Sequence, residues 1–187
     1  MQQCETQGAP ASLAGTAGGV IVTLSAPEIR YATYVGGLRE RWGRKMKVVD
    51  QSGPQLPAGR RPDYIGALGE MAAHKWLGLY WAATVDGPEQ TGDVLNWIEV
   101  KATAHAQGRL LQSPLPAEKV AQKLDRPFLL VTWADPVATL VGWMFGRDFL
   151  VPTHFGDNCR TGRLNWAVTQ ETLRHPDELL HLAKARI

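Results

Sequence analysis

The stretch Gly92-Asp93-Val94-Leu95-Asn96-Trp97-Ile98-Glu99-Val100-Lys101-Ala102-Thr103 decides how the rest of the chain is read. Ile98, Val100 and Ala102 alternate with Glu99, Lys101 and Thr103, the two-residue period of a strand with one buried face. Glu99 and Lys101 then share the opposite face. A reversal at Asn96 pairs Val94 with Ile98 and Asp93 with Glu99, and directly opposed residues carry Cβ atoms about 4.5–5.5 Å apart. Two carboxylates that close raise each other's pKa unless a cation lies between them. A hard divalent ion with oxygen ligands suits that place, with Lys101 beside it. The spacing predicts a metal site with a positioned cation.

An acidic helix precedes this stretch. Residues 62–77 read as a helix that opens on Pro62 and closes at Gly78, with Ile65, Leu68, Ala72 and Trp76 on one stripe. Glu70 stands alone among small and apolar neighbours in Gly66-Ala67-Leu68-Gly69-Glu70-Met71-Ala72-Ala73. Small residues let a helix approach a sheet closely, which would hold Glu70 near it. Taken alone, Glu70 reads equally as an exposed helical glutamate.

Asp93…Glu99-Val100-Lys101 resembles the signature of the PD-(D/E)XK nuclease superfamily, the restriction-endonuclease-like fold, with Gly92 where the name has proline. The Gly66-x-x-Gly69-Glu70 helix is similar to the first core helix of many of these nucleases. The resemblance covers residues 60–145. It implies an α/β fold in which helices flank a mixed central sheet, in the core order αβββαβ. It also implies Mg²⁺, with Mn²⁺ as substitute, held by Asp93, Glu99 and the carbonyl of Val100, with Glu70 joining directly or through water. Asp93, Glu99, Lys101 and Glu70 would be the catalytic set for hydrolysis of phosphodiester bonds, with DNA as the expected substrate. Lys101 would orient the attacking water, help deprotonate it or stabilise the developing charge, and the sequence does not separate these roles. A homodimer whose two subunits pair to cut both strands is compatible with the resemblance. The alternatives are a non-catalytic nucleic-acid-binding module on the same fold, and a protein-binding domain in which the motif is coincidental.

The flanking sequence supplies the remaining elements. Residues 1–19, rich in Ala, Gly, Gln, Ser and Thr, read as a flexible lead-in to a single domain over 20–187. A short strand is expected at 20–24. Ser25 and Glu28 have capping-box spacing and open a helix to about residue 42. Between residues 39 and 61 seven arginines and lysines stand against Glu40 and Asp50. Arg44, Lys45, Lys47, Arg60 and Arg61 of this segment are candidates for contact with a nucleic-acid backbone, since phosphate contacts come largely from such side chains; the plainer reading is a solvated loop. The first core strand is expected at 79–85, and a turn at 86–89 offers Asp86 and Glu89 as rivals to Asp93. A strand over 109–115 carries Gln112, which could position a water or phosphate. A helix over 116–124, a buried strand over 128–133, an antiparallel neighbour over 139–145 and a last helix over 176–185 complete the reading. Trp42 and Trp97 are the tryptophans placed to stack on bases.

Composition sets the outer limits. The chain has 187 residues, 44% hydrophobic and 20% charged, ordinary for a globular domain with a real core. Its net charge of +2 means that affinity for a polyanion must come from a local patch. Two cysteines, Cys4 and Cys159, support neither a disulfide framework nor a zinc site and point to a reducing, cytoplasmic compartment. No apolar run is long enough to span a membrane, and no export signal opens the chain, so no membrane partner is expected. Four serines lack a nucleophile-elbow setting, and the five histidines form no His-Glu-x-x-His, which leaves serine hydrolase and zinc protease chemistry without support.

Overall fold

Glu28 fixes the start of the first helix. Its carboxylate accepts the backbone N–H of Ser25 at 2.6 Å and the Ser25 hydroxyl at 2.7 Å, which opens helix α1, Ala26–Lys45, where the Ser-x-x-Glu spacing predicts it. The computed structural model describes residues 18–46, 62–85, 92–158 and 162–187. The expected lead-in lies outside these as far as residue 17, and so do Lys47, Arg60, Arg61, Asp86 and Glu89. Helix α2 runs Pro62–Leu77 and stops at Gly78, whose φ of 69° is the left-handed conformation that glycine adopts without a Cβ penalty.

The protein is a mixed α/β structure. Strands β1 (Val20–Thr23), β2 (Glu99–Thr103), β4 (Pro127–Ala134) and β5 (Val137–Phe145) form one sheet in the order β1-β5-β4-β2. The β1–β5 and β5–β4 pairs are antiparallel, and β4–β2 is parallel. A parallel pair needs a crossover, and the chain makes it through β3 (Leu110–Gln112) and helix α3 (Ala117–Lys123). A second sheet, order β3-β7-β6, joins β3 to β6 (Phe155–Gly156) and β7 (Asn165–Val168). Helices α4 (Gly146–Phe149) and α5 (Pro176–Lys184), with short 3-10 turns at Pro152–His154 and Gln170–Thr172, complete the described elements. Among the described residues no helix is long and apolar enough to cross a membrane.

Both faces of the main sheet are covered. Val100, Leu129 and Val131 pack with Ile65, Leu68 and Ala72 of α2 in the larger core. Phe128 and Leu130, on the other face, pack with Leu110, Phe149 and Val168 in a second core. Full burial of such side chains contributes on the order of 1.5–3 kcal/mol each. Gly69 sets the spacing of α2 on β2, because a Cβ there would lie 2.5 Å from that of Ala102.

Three expectations are corrected. Residues 79–85 form no strand, although Trp81 is buried between exposed Tyr80 and Ala82 as in a strand. Ala83 turns to a φ of 54°, and the Thr84 carbonyl is taken by Arg39 Nε at 2.9 Å rather than by a neighbouring strand. The strand expected over 109–115 is only three residues long and belongs to the second sheet, so the three strands of the αβββαβ order do not lie consecutively in one sheet. Finally, the face of β2 expected to be open is covered, and Glu99 on it is only 5% exposed.

Candidate active site

The hairpin before β2 reverses as its sequence predicts. Leu95 and Asn96 both have a φ of 53°, and Val94 and Ile98 exchange N–H···O bonds of 3.1 and 2.9 Å. Gly92 is required here because any Cβ at that position would strike the backbone of Trp97, at 2.5 Å. The same collision leaves no room for a proline at this position. The ladder does not extend to a backbone pair between Asp93 and Glu99. Instead Asp93 Oδ2 accepts the N–H of Val100 at 2.6 Å.

That bond fixes the geometry of the sheet edge. Among the described residues β2 is an edge strand with β4 as its one neighbour. In an extended strand the N–H and C=O of one residue point to the same side. The Val100 carbonyl therefore faces the free edge, as its N–H does, and shares it with the Asp93 carboxyl. Register with Phe128 and Leu130 sends Glu99 and Lys101 to the second-core face, while Glu70 comes from α2 on the opposite face.

Each carboxylate has a distinct electrostatic setting. Glu70 is held by Arg39 in a two-pronged pair, at 2.5 and 2.8 Å, and accepts from Trp81 Nε1 at 3.3 Å. Glu99 Oε1 receives Lys123 at 2.5 Å and Arg126 at 2.9 Å. Burial pushes the Glu99 carboxyl up, but Lys101, Lys123 and Arg126 outweigh it and hold it below its ordinary value. Asp93 goes the other way. Burial first, then the charge of Glu70, with a smaller addition from Glu99, raises it to about 7 against the pull of Lys101 and the Val100 N–H. Lys101 makes no ion pair among the described residues, and its Nζ lies 6.0 Å from the centre of the Phe128 ring.

The expected ligand set is thus brought together only in part. Among the described residues no group of three or more His, Cys, Asp or Glu side chains converges as a metal cage. Asp93 and the Val100 carbonyl offer two hard oxygens on one edge, whereas Glu70 and Glu99 face protein cations. Mg²⁺ keeps several waters and is commonly held by one or two carboxylates, so the small donor set fits it. The Asp93 carboxyl, short of positive charge, is where a cation would be gained most readily.

The sequence did not reveal Arg39, Lys123 and Arg126 as members of the site. Arg126 had one usable signal. In the parallel register Glu99 stands beside Phe128, so the residues just before β4 fall at the Glu99 end of β2. Of the candidate backbone contacts, Arg44 and Lys45 are exposed on the last turn of α1, and Arg44 pairs with Glu40 at 3.2 Å. Trp97 is not an open stacking platform. Its Nε1 donates to the Asp125 carbonyl at 2.9 Å, and Arg186 lies over its ring at 3.9 Å. Gln112 is buried, its Nε2 donates to the Ser113 carbonyl, and its Oε1 lacks a hydrogen-bond partner among the described residues. His74 is a core histidine, with Nδ1 2.9 Å from the Glu70 carbonyl. Compared with protein-family models, curated proteins and solved structures, the chain finds no match.

Proposed function

We propose that the protein is a Mg²⁺-dependent nuclease of the PD-(D/E)XK type that hydrolyses phosphodiester bonds of DNA. The observation that supports this most is the Asp93 carboxyl bound to the N–H of Val100 on the free edge of β2, between Glu99 and Lys101 in the strand. A restriction-endonuclease-like architecture is the finer reading of the mixed sheet with helices on it. When bound, Mg²⁺ supplies positive charge to the reacting phosphate and to the attacking water. Asp93 and the Val100 carbonyl would hold it, with Mn²⁺ as a substitute. Lys101, unpaired among the described residues, orients the water or meets the charge that develops on the phosphoryl oxygens. Glu99, kept ionised by Lys123 and Arg126, holds Lys101 and the cation in place electrostatically. Glu70 adds negative charge from the α2 side, which raises the Asp93 carboxyl and would favour a cation beside it.

The test is cleavage of supercoiled plasmid, linear duplex and single-stranded DNA in Mg²⁺, Mn²⁺ or EDTA, beside Lys101→Ala. Metal-dependent cutting by the wild type and none by Lys101→Ala is expected. Turnover by Lys101→Ala at near wild-type rate would remove Lys101 from the chemistry, and binding without cutting on every substrate would favour a non-catalytic binding module.

A further inference from the structure

Where β2 and β4 begin and β5 ends, three arginines lie on a row of aromatic rings. Trp97 and Phe145 have centroids 6.5 Å apart, and Phe145 meets Trp143 edge-on at 4.9 Å. Arg186 lies 3.9 Å over Trp97, and Arg147 lies 4.3 Å over Phe145. Arg174 is 5.2 Å from Trp143 and 5.8 Å from Phe145. About half of the Arg147 and Arg174 side chains remains exposed, 52% and 47%. Their acidic partners, Asp125 at 2.6 Å and Asp148 at 3.5 Å, are on the surface too, and Arg186 has none among the described residues.

As a stabilising device this row is weak, since an exposed cation–π contact contributes only about 0.5–1 kcal/mol. Its geometry suits recognition better. A guanidinium resting on a ring uses its face, which leaves the N–H groups along its edge for a planar, two-pronged contact with an anion. The three charges are spread over three successive rings whose centroids lie 6.5 and 4.9 Å apart, a wider site than one small anion needs, which fits a polymer of repeated anionic groups.

The row also starts at the candidate active site. Trp97 belongs to the hairpin that carries Asp93. Phe145 pairs with Pro127, one register step from the pairing of Glu99 with Phe128. Arg126 ties the two together, with its side chain on Glu99 and its carbonyl accepting the N–H of Gly146 at 2.8 Å.

We infer that Arg186, Arg147 and Arg174 form a phosphate track along which a nucleic-acid strand is led to the Asp93 hairpin at the edge of β2. This rests on the nuclease reading and adds the surface that holds the substrate backbone.

The test is equilibrium binding of a labelled DNA duplex to the wild type in EDTA, across a range of salt concentrations, beside R147Q/R174Q/R186Q. Each phosphate contact on duplex DNA contributes about 0.9 to the slope of log affinity against log salt. The triple variant should bind at least tenfold more weakly at low salt, with a slope shallower by about 2–3. Arginine-to-lysine variants, which keep the charge but lose the flat fork, should restore the slope and only part of the affinity. Should the triple variant melt at a lower temperature, Arg186→Gln alone, which removes no ion pair among the described residues, should still lower the slope by about 0.9. Unchanged affinity and slope in folded variants would overturn the track, including where the plasmid assay shows cutting. Slope loss in the variants alongside a wild type that cuts nothing would uphold the track as a DNA surface and bring down the nuclease reading.

Discussion

Asp93 is a carboxyl whose surroundings oppose its charge, and that has a sign that can be measured. Its folded pKa, about 7, stands above the ordinary 3.8. Between those values the unfolded chain has released the proton while the folded chain keeps it, so the folded state binds more protons. Stability therefore falls as pH rises from about 4 to 7 and levels off above, in the absence of metal. One pKa unit corresponds to about 1.4 kcal/mol, so the cost above pH 7 is on the order of a few kcal/mol. Asp93→Asn keeps an oxygen for the Val100 N–H and cannot ionise. In EDTA the variant is expected to melt above the wild type at pH 8 and close to it below pH 4, by thermal denaturation across pH. A variant that is destabilised equally at both pH values would show that the carboxyl carries no such burden. The acids and Lys101 were legible because each sits in one twelve-residue stretch or on the helix before it. Their counter-charges were not. Arg39, Lys123 and Arg126 reach the site only through tertiary packing, and neither spacing nor periodicity encodes which carboxylate a given cation will meet.

Among the elements, α2 on β2 is the contact that delivers Glu70, and Gly69 decides how close it comes. A Cβ at residue 69 would lie 2.5 Å from that of Ala102 and 3.5 Å from Val100 Cγ1, both on β2. Gly69→Val must therefore lift the helix or bend the strand, and such overpacking costs about 1–3 kcal/mol. The expected outcome is a melting point several degrees lower together with weaker cleavage, because Glu70 and Val100 move apart. Gly66→Ala is the control. Its added Cβ meets nothing within 4 Å, and replacing a helical glycine should leave stability equal or raise it by up to about 1 kcal/mol. If Gly69→Val and Gly66→Ala melted alike, close approach would not be what α2 requires. Helices were read well because capping and termination are local: Ser25 with Glu28 opens α1, and Gly78 closes α2. Strands show in the sequence as apolar alternation or apolar runs, which is only half of what makes one. Residues 79–85 alternate in exposure, yet Arg39 takes a carbonyl that a ladder would have used. Leu110–Gln112 extends as expected but pairs with Asn165–Val168, a strand whose few residues gave no period to read.

At the scale of the molecule, the site gathers residues from 39 to 126 at one edge and one end of the main sheet, between two cores. The mixed α/β class followed from the order of periodic segments, whereas the split into two sheets did not, because the partner of β3 lies more than fifty residues later. Of the three carboxylates around β2, Glu70 and Glu99 on its two faces are matched by protein cations, and Asp93 at its edge is short of positive charge. A ligand that binds the folded chain and not the unfolded one raises its stability by about 2.7 kcal/mol at one hundred times its dissociation constant. For a chain of 187 residues each kcal/mol shifts the melting point by about 2–4 °C, so saturating Mg²⁺ should raise it by roughly 5–10 °C. The rise should be larger at pH 8 than at pH 6, because the ion needs Asp93 ionised and competes with its proton. Lys101→Ala should keep the rise while losing cleavage, which separates holding the ion from using it. Asp93→Asn should lose the rise, and an equal rise in that variant, or none in the wild type at any Mg²⁺ concentration, would take the metal away from this edge of the sheet.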